Sequence, residues 1–172
     1  MSVERLPLSL LNAMGRSAFV SHLGWVYENS PWVAEAAWED RPFSTIDDLH
    51  AAMQRVVGSA ILEKKLALLQ KHPDLAARFG SLNELTVASR REQTSAGLDR
   101  VPMAEAEQMA EQNALYREKF GFPFILCARL NNAGTIREAL AKRLENGRGR
   151  EIDVALEEIS KIARLRLLDA IS

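Results

Sequence analysis

The 172-residue chain lacks several features that mark common classes of protein. It has a single cysteine, Cys127, which excludes an internal disulfide and is typical of a reducing compartment. Its net charge is −1 with acidic and basic residues interspersed, so no nucleic-acid or anionic-membrane surface is predicted. No apolar run approaches the roughly 20 residues that span a bilayer, and the N-terminus has no signal-peptide pattern. We therefore expect a soluble cytoplasmic protein with no nucleic-acid partner and no membrane partner.

Period-two alternation of apolar and polar residues, which is typical of half-buried strands, is also absent. Apolar residues recur instead at helical spacing. Together with cysteine and the aromatic residues they make up 47% of the chain. One strand-like segment, GFPFILCA at 121–128, is too isolated to build a sheet. The length suits one domain with one core. We predict an all-α, single-domain helical bundle of about seven or eight helices over residues 1–172.

Helix ends are indicated by proline and by capping residues. The first two helical pieces are separated near Pro31, where Ser30 is a predicted cap, and Ser44 is a predicted cap of the next helix. The helix in SAILEKKLALLQKH is predicted to stop before Pro73.

A helix predicted over residues 82–96 has a polar patch in the middle of its apolar face. At 100° per residue, one arc holds Leu85, Ala88, Ser89, Glu92 and Ala96, with Gln93 at its edge. A buried carboxylate must be paired, neutralised or facing a polar ligand. A second interpretation stays open, because Ser89 and Glu92 also match a capping box that begins a helix.

The C-terminal helix places an arginine, Arg166, within an apolar stripe. The stripe consists of Ile152, Ala155, Leu156, Ile159, Ile162, Ala163, Leu167 and Ala170. Either Arg166 reaches solvent or pairs with a buried acid for structural reasons, or it points into a pocket. In a pocket its fork of donors would suit a carboxylate or a planar urea-like group.

His72 stands directly before Pro73, and a residue in that position is disfavoured in helical conformation. Its imidazole should therefore project from a helix end, where it could act as a general acid or base near neutral pH. A packed or capping histidine is the structural alternative. His22 and His50 lie in amphipathic helices and are interpreted as structural. No spacing of His, Cys and Asp resembles a metal site, so no metal is predicted.

The segment FGFPFI, residues 120–125, combines Gly121 with Pro123 in an apolar setting. Proline removes a backbone donor, and the remaining N–H and C=O groups cannot all be used by a helix. The segment is either a buried connector or a pocket wall that presents backbone donors and acceptors to a ring with amide-like edges.

Four motifs occur in an order and spacing that resemble a known family. They are HPDL, LTVASRREQTSAGL, NALYREKFGFPFI and RLENGRGREIDVALEEISKIARLRL, beginning at residues 72, 85, 113 and 143. Together they resemble the decarboxylases of 2-oxo-4-hydroxy-4-carboxy-5-ureidoimidazoline (OHCU), and the resemblance runs from about Ser17 to Leu168.

The resemblance implies an all-helical, usually dimeric enzyme without metal or organic cofactor that converts OHCU to (S)-allantoin and CO2 in urate degradation. It implies that His72 and Glu92 are catalytic. The substrate contacts that it implies are Pro73, Ser89, Gln93, Phe122, Pro123, Phe124, Ile125 and Arg166, where residues 122–125 contribute backbone groups. The absence of a transthyretin-like domain or peroxisomal tail favours a free-standing bacterial type of enzyme.

Two alternatives to this function are kept. In the first, the polar groups on the helix faces form a structural network in a non-catalytic binding or scaffold module. In the second, the protein is a lyase or hydrolase that acts on another ureide.

Overall fold

The computed structural model describes residues 4–75 and 86–172. Within these two ranges there are nine α-helices and no strand, which confirms the all-α prediction. The helices are α1 (Leu8–Ala13), α2 (Arg16–Leu23), α3 (Trp32–Ala37), α4 (Ile46–Gly58), α5 (Leu62–Lys71), α6 (Val87–Ser95), α7 (Met103–Phe120), α8 (Ala133–Arg143) and α9 (Arg148–Ala170).

Two predicted caps are wrong. The Ser30 hydroxyl does not cap a helix but donates to the backbone carbonyl of Glu28 at 3.0 Å. Thr45, one residue after the predicted Ser44, caps α4, because its hydroxyl accepts from the N–H of Asp48 while the Asp48 carboxylate accepts from the N–H of Thr45. The capping signal was therefore present in the sequence but displaced by one residue.

The chain divides into two compact units, of which the first comprises residues 1–71 and 160–172. Within it, α3 packs against α2 and α4. The two ends of the unit are tied together, since Arg5 donates to the carbonyl oxygens of Leu168 and Ile171 at 3.0 Å. His50 lies on α4 with its Nε2 atom 2.9 Å from the carbonyl oxygen of Ser160 on α9.

The second unit comprises residues 72–159. In it α7 packs against α8, and α6 packs against two short 3-10 turns, Leu98–Arg100 and Ala128–Leu130. Gly121 ends α7 with φ of 79°, a left-handed conformation that favours glycine. Four buried aromatic rings form one cluster: Tyr116, Phe120, Phe122 and Phe124.

Helix α9 belongs to both units, because the boundary between them falls after Ile159. Its predicted apolar stripe is buried, apart from Leu156, which is half-buried, and Arg166 is buried within it. The expectation that residues 1–172 form a single domain stays a prediction.

No helix in the described part of the chain combines the length and the apolar character that a membrane crossing needs.

Candidate functional site

His72 lies immediately after the last residue of α5, as the His-Pro sequence predicts. Helix α5 ends at Lys71, and the backbone bends at His72 and then continues without helical structure through Pro73. The imidazole is buried, with 6% of the residue exposed, and Pro73 is half-buried. The histidine is therefore held in the protein interior rather than displayed on the surface.

The residues that follow His72 are anchored by α6 and α7. Gln93 Nε2 donates to the carbonyl oxygen of Asp74 at 3.5 Å, and Asn113 Nδ2 donates to the carbonyl oxygen of Leu75. Arg117 pairs with the Asp74 carboxylate at 3.3 Å. Burial raises the pKa of Asp74, and the charge of Arg117 opposes that shift. These contacts fix the backbone on the C-terminal side of the histidine.

Helix α6 begins at Val87, later than the predicted start at residue 82. Thr86 has extended backbone, with ψ of 156°, and its hydroxyl accepts from the N–H of Ser89 at 3.2 Å. Thr86 is therefore the N-cap, and Ser89 lies inside the first turn, so the capping-box interpretation of Ser89 and Glu92 is wrong. Leu85 and the other predicted positions before Thr86 lie outside the described residues.

The buried face of α6 is centred on Ser89 and Gln93, each of which is 4% exposed. Gln93 was predicted at the edge of this face and lies within it, whereas Glu92 was predicted within it and is half-buried. Burial raises the pKa of the Cys127 thiol, and the nearby charges of Glu158 and Glu92 add to that shift. The carboxylate of Glu92 is thus near enough to Cys127, at the end of the apolar segment that follows α7, to act on it electrostatically.

That segment, residues 122–128, is buried and irregular until the 3-10 turn begins at Ala128. The four residues predicted to contribute backbone contacts lie in it: Phe122, Pro123, Phe124 and Ile125. Among the described residues, none accepts a hydrogen bond from the backbone N–H groups of Phe124, Ile125 or Leu126. The second unit therefore contains the imidazole loop, the polar face of α6 and an interior stretch of backbone with donors directed at no described acceptor, and Gln93 joins the first two.

Arg166 is buried in the first unit, with 1% of the residue exposed. Its Nη2 atom lies 2.9 Å from Glu28 Oε2, and its Nη1 atom donates to the carbonyl oxygens of Trp25 and Val26 at 3.3 and 3.4 Å. Of the two structural alternatives, the one in which Arg166 reaches solvent is wrong, and the one in which it pairs with a buried acid is confirmed, since Glu28 is that acid. A role of Arg166 in substrate binding stays a prediction.

Three buried carboxylates were not predicted from the sequence: Glu28, Glu151 and Glu158. Glu151 and Glu158 stand four residues before and three residues after Ala155, on the apolar stripe that indicated Arg166. The same periodicity could have found both of them. Glu28 lies in a non-helical connection, where periodicity gives no signal.

Within residues 4–75 and 86–172, no group of three or more His, Cys, Asp or Glu side chains is arranged to hold a metal ion.

Comparison with known proteins identifies the family. The OHCU decarboxylase family model matches residues 12–168 of the chain. The chain belongs to this family. It is 45% identical over 165 residues to the 2-oxo-4-hydroxy-4-carboxy-5-ureidoimidazoline decarboxylase of Halalkalicoccus jeotgali, an alignment that covers 96% of this chain and 92% of that protein.

Two solved structures have the same fold as this member of the OHCU decarboxylase family. A crystal structure of (S)-allantoin synthase is 33% identical, with a TM-score of 0.79 over 97% of this chain, and the chain spans only 54% of that longer protein. A crystal structure of OHCU decarboxylase in the presence of (S)-allantoin is 25% identical, with a TM-score of 0.66 over 83% of this chain and 92% of that one.

Proposed function

We propose that this protein catalyses the cofactor-independent decarboxylation of OHCU to (S)-allantoin, a carbon–carbon lyase reaction of urate degradation. Membership of the OHCU decarboxylase family supports the reaction. The observation that carries the proposal for the site is the anchoring of the His72 loop by Gln93, because it joins a buried imidazole to the polar face of α6.

The reaction needs no external electron sink. OHCU carries a carboxylate and a hydroxyl on one ring carbon, and the neighbouring carbon is an imine carbon that bears the ureido group. When the bond to the carboxylate breaks and CO2 leaves, its electron pair forms a bond between the two carbons, and the imine π-pair moves to nitrogen, which takes up a proton. The hydroxyl then loses its proton to become the carbonyl of allantoin, and the ureido-bearing carbon takes up a proton. One proton is consumed overall.

The protein has two tasks in this reaction, and His72 and Glu92 are assigned to them. The carboxylate must stand perpendicular to the ring so that the breaking bond overlaps the imine π-system, and His72 holds the hydroxyl or carboxylate in that orientation. The proton must reach one face of the ureido-bearing carbon, and Glu92 relays it. Glu92 is half-buried, which leaves a route for exchange of that proton with solvent.

The remaining predicted residues bind and orient the substrate. Gln93 and the backbone of residues 122–125 grip the ureido and ring amide groups, since both offer donors and acceptors that match an amide. Ser89 positions Glu92 or the ligand, and Pro73 sets the approach of the histidine. Arg166 is assigned by resemblance to the substrate's polar groups.

The test is the optical activity of the product. Freshly generated OHCU decays unaided to racemic allantoin, so we expect the enzyme to give a circular dichroism signal of (S)-allantoin well above that background. His72→Asn and Glu92→Gln should each lower the rate by about 10²- to 10⁴-fold, while the far-ultraviolet spectrum is retained. Glu111→Gln is the matched control, because Glu111 is exposed on α7. A wild-type rate in either site variant would remove that residue from the mechanism.

The same assay separates the alternatives. A binding or scaffold module would leave the racemic background unchanged, and an enzyme of another ureide would act on that ureide faster than on OHCU. The half-buried Glu92 beside an interior segment of backbone favours the decarboxylase over the scaffold.

Two further properties complete the proposal. We propose a homodimer, as the resemblance implies, and light scattering coupled to size-exclusion chromatography should give twice the 19.2 kDa of the chain.

We also propose a cytoplasmic location, supported by the single buried cysteine, Cys127. Cell fractionation with an antibody against the protein tests the location.

A further inference from the structure

Arg143 is the centre of a buried polar cluster that no assigned role explains. Its Nε and Nη2 atoms both lie 2.5 Å from Glu151 Oε1, and the Tyr116 hydroxyl donates to the same oxygen at 2.6 Å. Asn146 donates to the other oxygen of Glu151 at 3.0 Å. Because the carboxylate is fully buried and bonded on both oxygens, it holds the guanidinium in one orientation.

The third nitrogen of Arg143 reaches the interior segment after α7. Nη1 donates to the carbonyl oxygen of Ile125 at 2.5 Å, and the guanidinium carbon lies 4.5 Å from the centre of the Phe124 ring. Arg143 therefore supports both the side chain of Phe124 and the backbone of Ile125, two of the residues assigned to the substrate.

A second charged side chain holds the same segment two residues later. Glu158 Oε2 accepts from the backbone N–H of Cys127 at 2.9 Å. Both residues of this contact are buried. The peptide groups on either side of Leu126 are thus each bonded to an ionised side chain, one through its oxygen and one through its nitrogen.

Because peptide groups are planar, these two contacts also determine the directions of the N–H and C=O groups of Leu126. The only cis peptide bond in the described residues is Arg41–Pro42, so both peptide groups that flank Leu126 are trans. In a trans peptide the C=O and N–H point in opposite directions. Arg143 therefore directs the N–H of Leu126 away from itself, and Glu158 directs the C=O of Leu126 away from itself.

The same contacts strengthen the two groups of Leu126. A cation bonded to the carbonyl oxygen of Ile125 withdraws electrons from that peptide and makes the N–H of Leu126 a better donor. A carboxylate that accepts from the N–H of Cys127 makes the carbonyl oxygen of Leu126 a better acceptor. Leu126 consequently offers one strengthened donor and one strengthened acceptor, the complement of an amide or ureido group.

We propose that Arg143 and Glu158 are positioning residues that orient and polarise the two peptide groups flanking Leu126, so that its N–H and C=O bind the ureido group of the substrate. The proposal rests on the proposed function, because it takes the substrate from it. It gives the buried charges of α8 and α9 a task in substrate recognition.

Nuclear magnetic resonance of the wild-type protein tests the binding residue without any substitution. On titration with (S)-allantoin, which carries the ureido group, the backbone amide signal of Leu126 should shift and its hydrogen exchange should slow. An unchanged Leu126 amide, with shifts confined to other residues, would overturn the proposal.

Kinetics of Arg143→Lys test the positioning role. Lysine keeps the charge beside Glu151 but cannot donate to Glu151 and Ile125 in the fork geometry of arginine. If ureido binding is equal in the ground and transition states, KM should rise by about three- to tenfold while kcat stays within about twofold. Arg137→Lys is the matched control, since Arg137 lies on the same helix and pairs with Glu105 at 2.7 Å, and its KM should not change.

The outcomes separate this proposal from the proposed function. A purely structural Arg143 would lower stability and the amount of active enzyme, and hence kcat, with KM unchanged, which would overturn the positioning role. Should Arg143→Lys fail to fold, Glu158→Gln keeps an acceptor for the N–H of Cys127 without its charge, and the same rise in KM is expected from it. Absence of (S)-allantoin formation by the wild type would instead refute the proposed function.

Discussion

At the scale of single residues, the ion pair of Glu28 and Arg166 decides how the buried arginine should be interpreted. Each residue is about as buried as any in the first unit, and their charged groups are 2.9 Å apart. A buried ion pair contributes little net stability, because desolvation offsets the attraction, but an unpaired member is costly. The sequence indicated only the arginine, because Arg166 interrupts an apolar helical stripe. It could not indicate Glu28, which lies 138 residues earlier in a connection without helical periodicity.

Glu28→Gln should destabilise the protein by about 3–5 kcal/mol, because it removes the carboxylate charge that lies 2.9 Å from the buried guanidinium of Arg166. Urea unfolding followed by circular dichroism measures the change. Glu35→Gln is the control, since the contact of Glu35 with Arg16 at 3.8 Å is exposed and should contribute less than about 1 kcal/mol. Equal effects of the two substitutions would contradict the assignment of a buried pair.

The double variant Glu28→Leu with Arg166→Met separates the structural from the catalytic role of the pair. Replacement of both charges by apolar side chains should be neutral or stabilising. If Arg166 also binds substrate, the stable double variant loses decarboxylase activity, whereas full activity would restrict Arg166 to a structural role.

At the scale of helices, α6 shows what periodicity can and cannot predict. The predicted arc correctly indicated a helix with a polar interior face at Ser89, but it placed Glu92 within that face and Gln93 at its edge, whereas Gln93 is buried and Glu92 is half-buried. It could not predict the start of that helix, because apolar residues before Thr86 continue the same period. The local hydrogen bond between the Thr86 hydroxyl and the N–H of Ser89 decides the start instead.

Thr86→Ala should cost about 1 kcal/mol of stability through loss of the cap, and it should also raise KM. The second effect is expected because the cap sets the first turn of α6, which carries Ser89. Thr45→Ala is the matched control, since Thr45 caps α4 in the first unit and its loss should lower stability by a similar amount without affecting KM. A rise in KM in both variants would show that general destabilisation, and not the turn that holds Ser89, is responsible.

At the scale of the whole molecule, the sequence predicted the fold class and the local structure around the candidate site residues better than the partners of those residues. The place of His72 after α5 and the irregular, buried residues 122–125 followed from proline and glycine, which act locally. The contacts of Arg143 with Glu151 and with the carbonyl oxygen of Ile125 join different elements of the chain. Such pairs arise from tertiary packing, which a single sequence does not display.

Helix α9 gives a reason to expect that the two units unfold together. Its residues up to Ile159 belong to the second unit and those from Ser160 to the first, within one continuous helix. All three tryptophans lie in the first unit, so their fluorescence reports that unit alone, whereas far-ultraviolet circular dichroism reports helices of both. A single domain predicts coincident urea transitions by the two probes.

Lys161→Pro makes this test sharper. Lys161 is exposed on α9 just beyond the boundary, and proline there removes a helical hydrogen bond and clashes with the preceding turn, at a cost of about 3 kcal/mol or more. If residues 1–172 form one cooperative domain, the substitution lowers the midpoint of both probes equally. The contrary result is a lower fluorescence midpoint together with a second circular dichroism transition at the wild-type midpoint. The units would then be independent domains, because the second unit would keep its stability while the first unit lost stability.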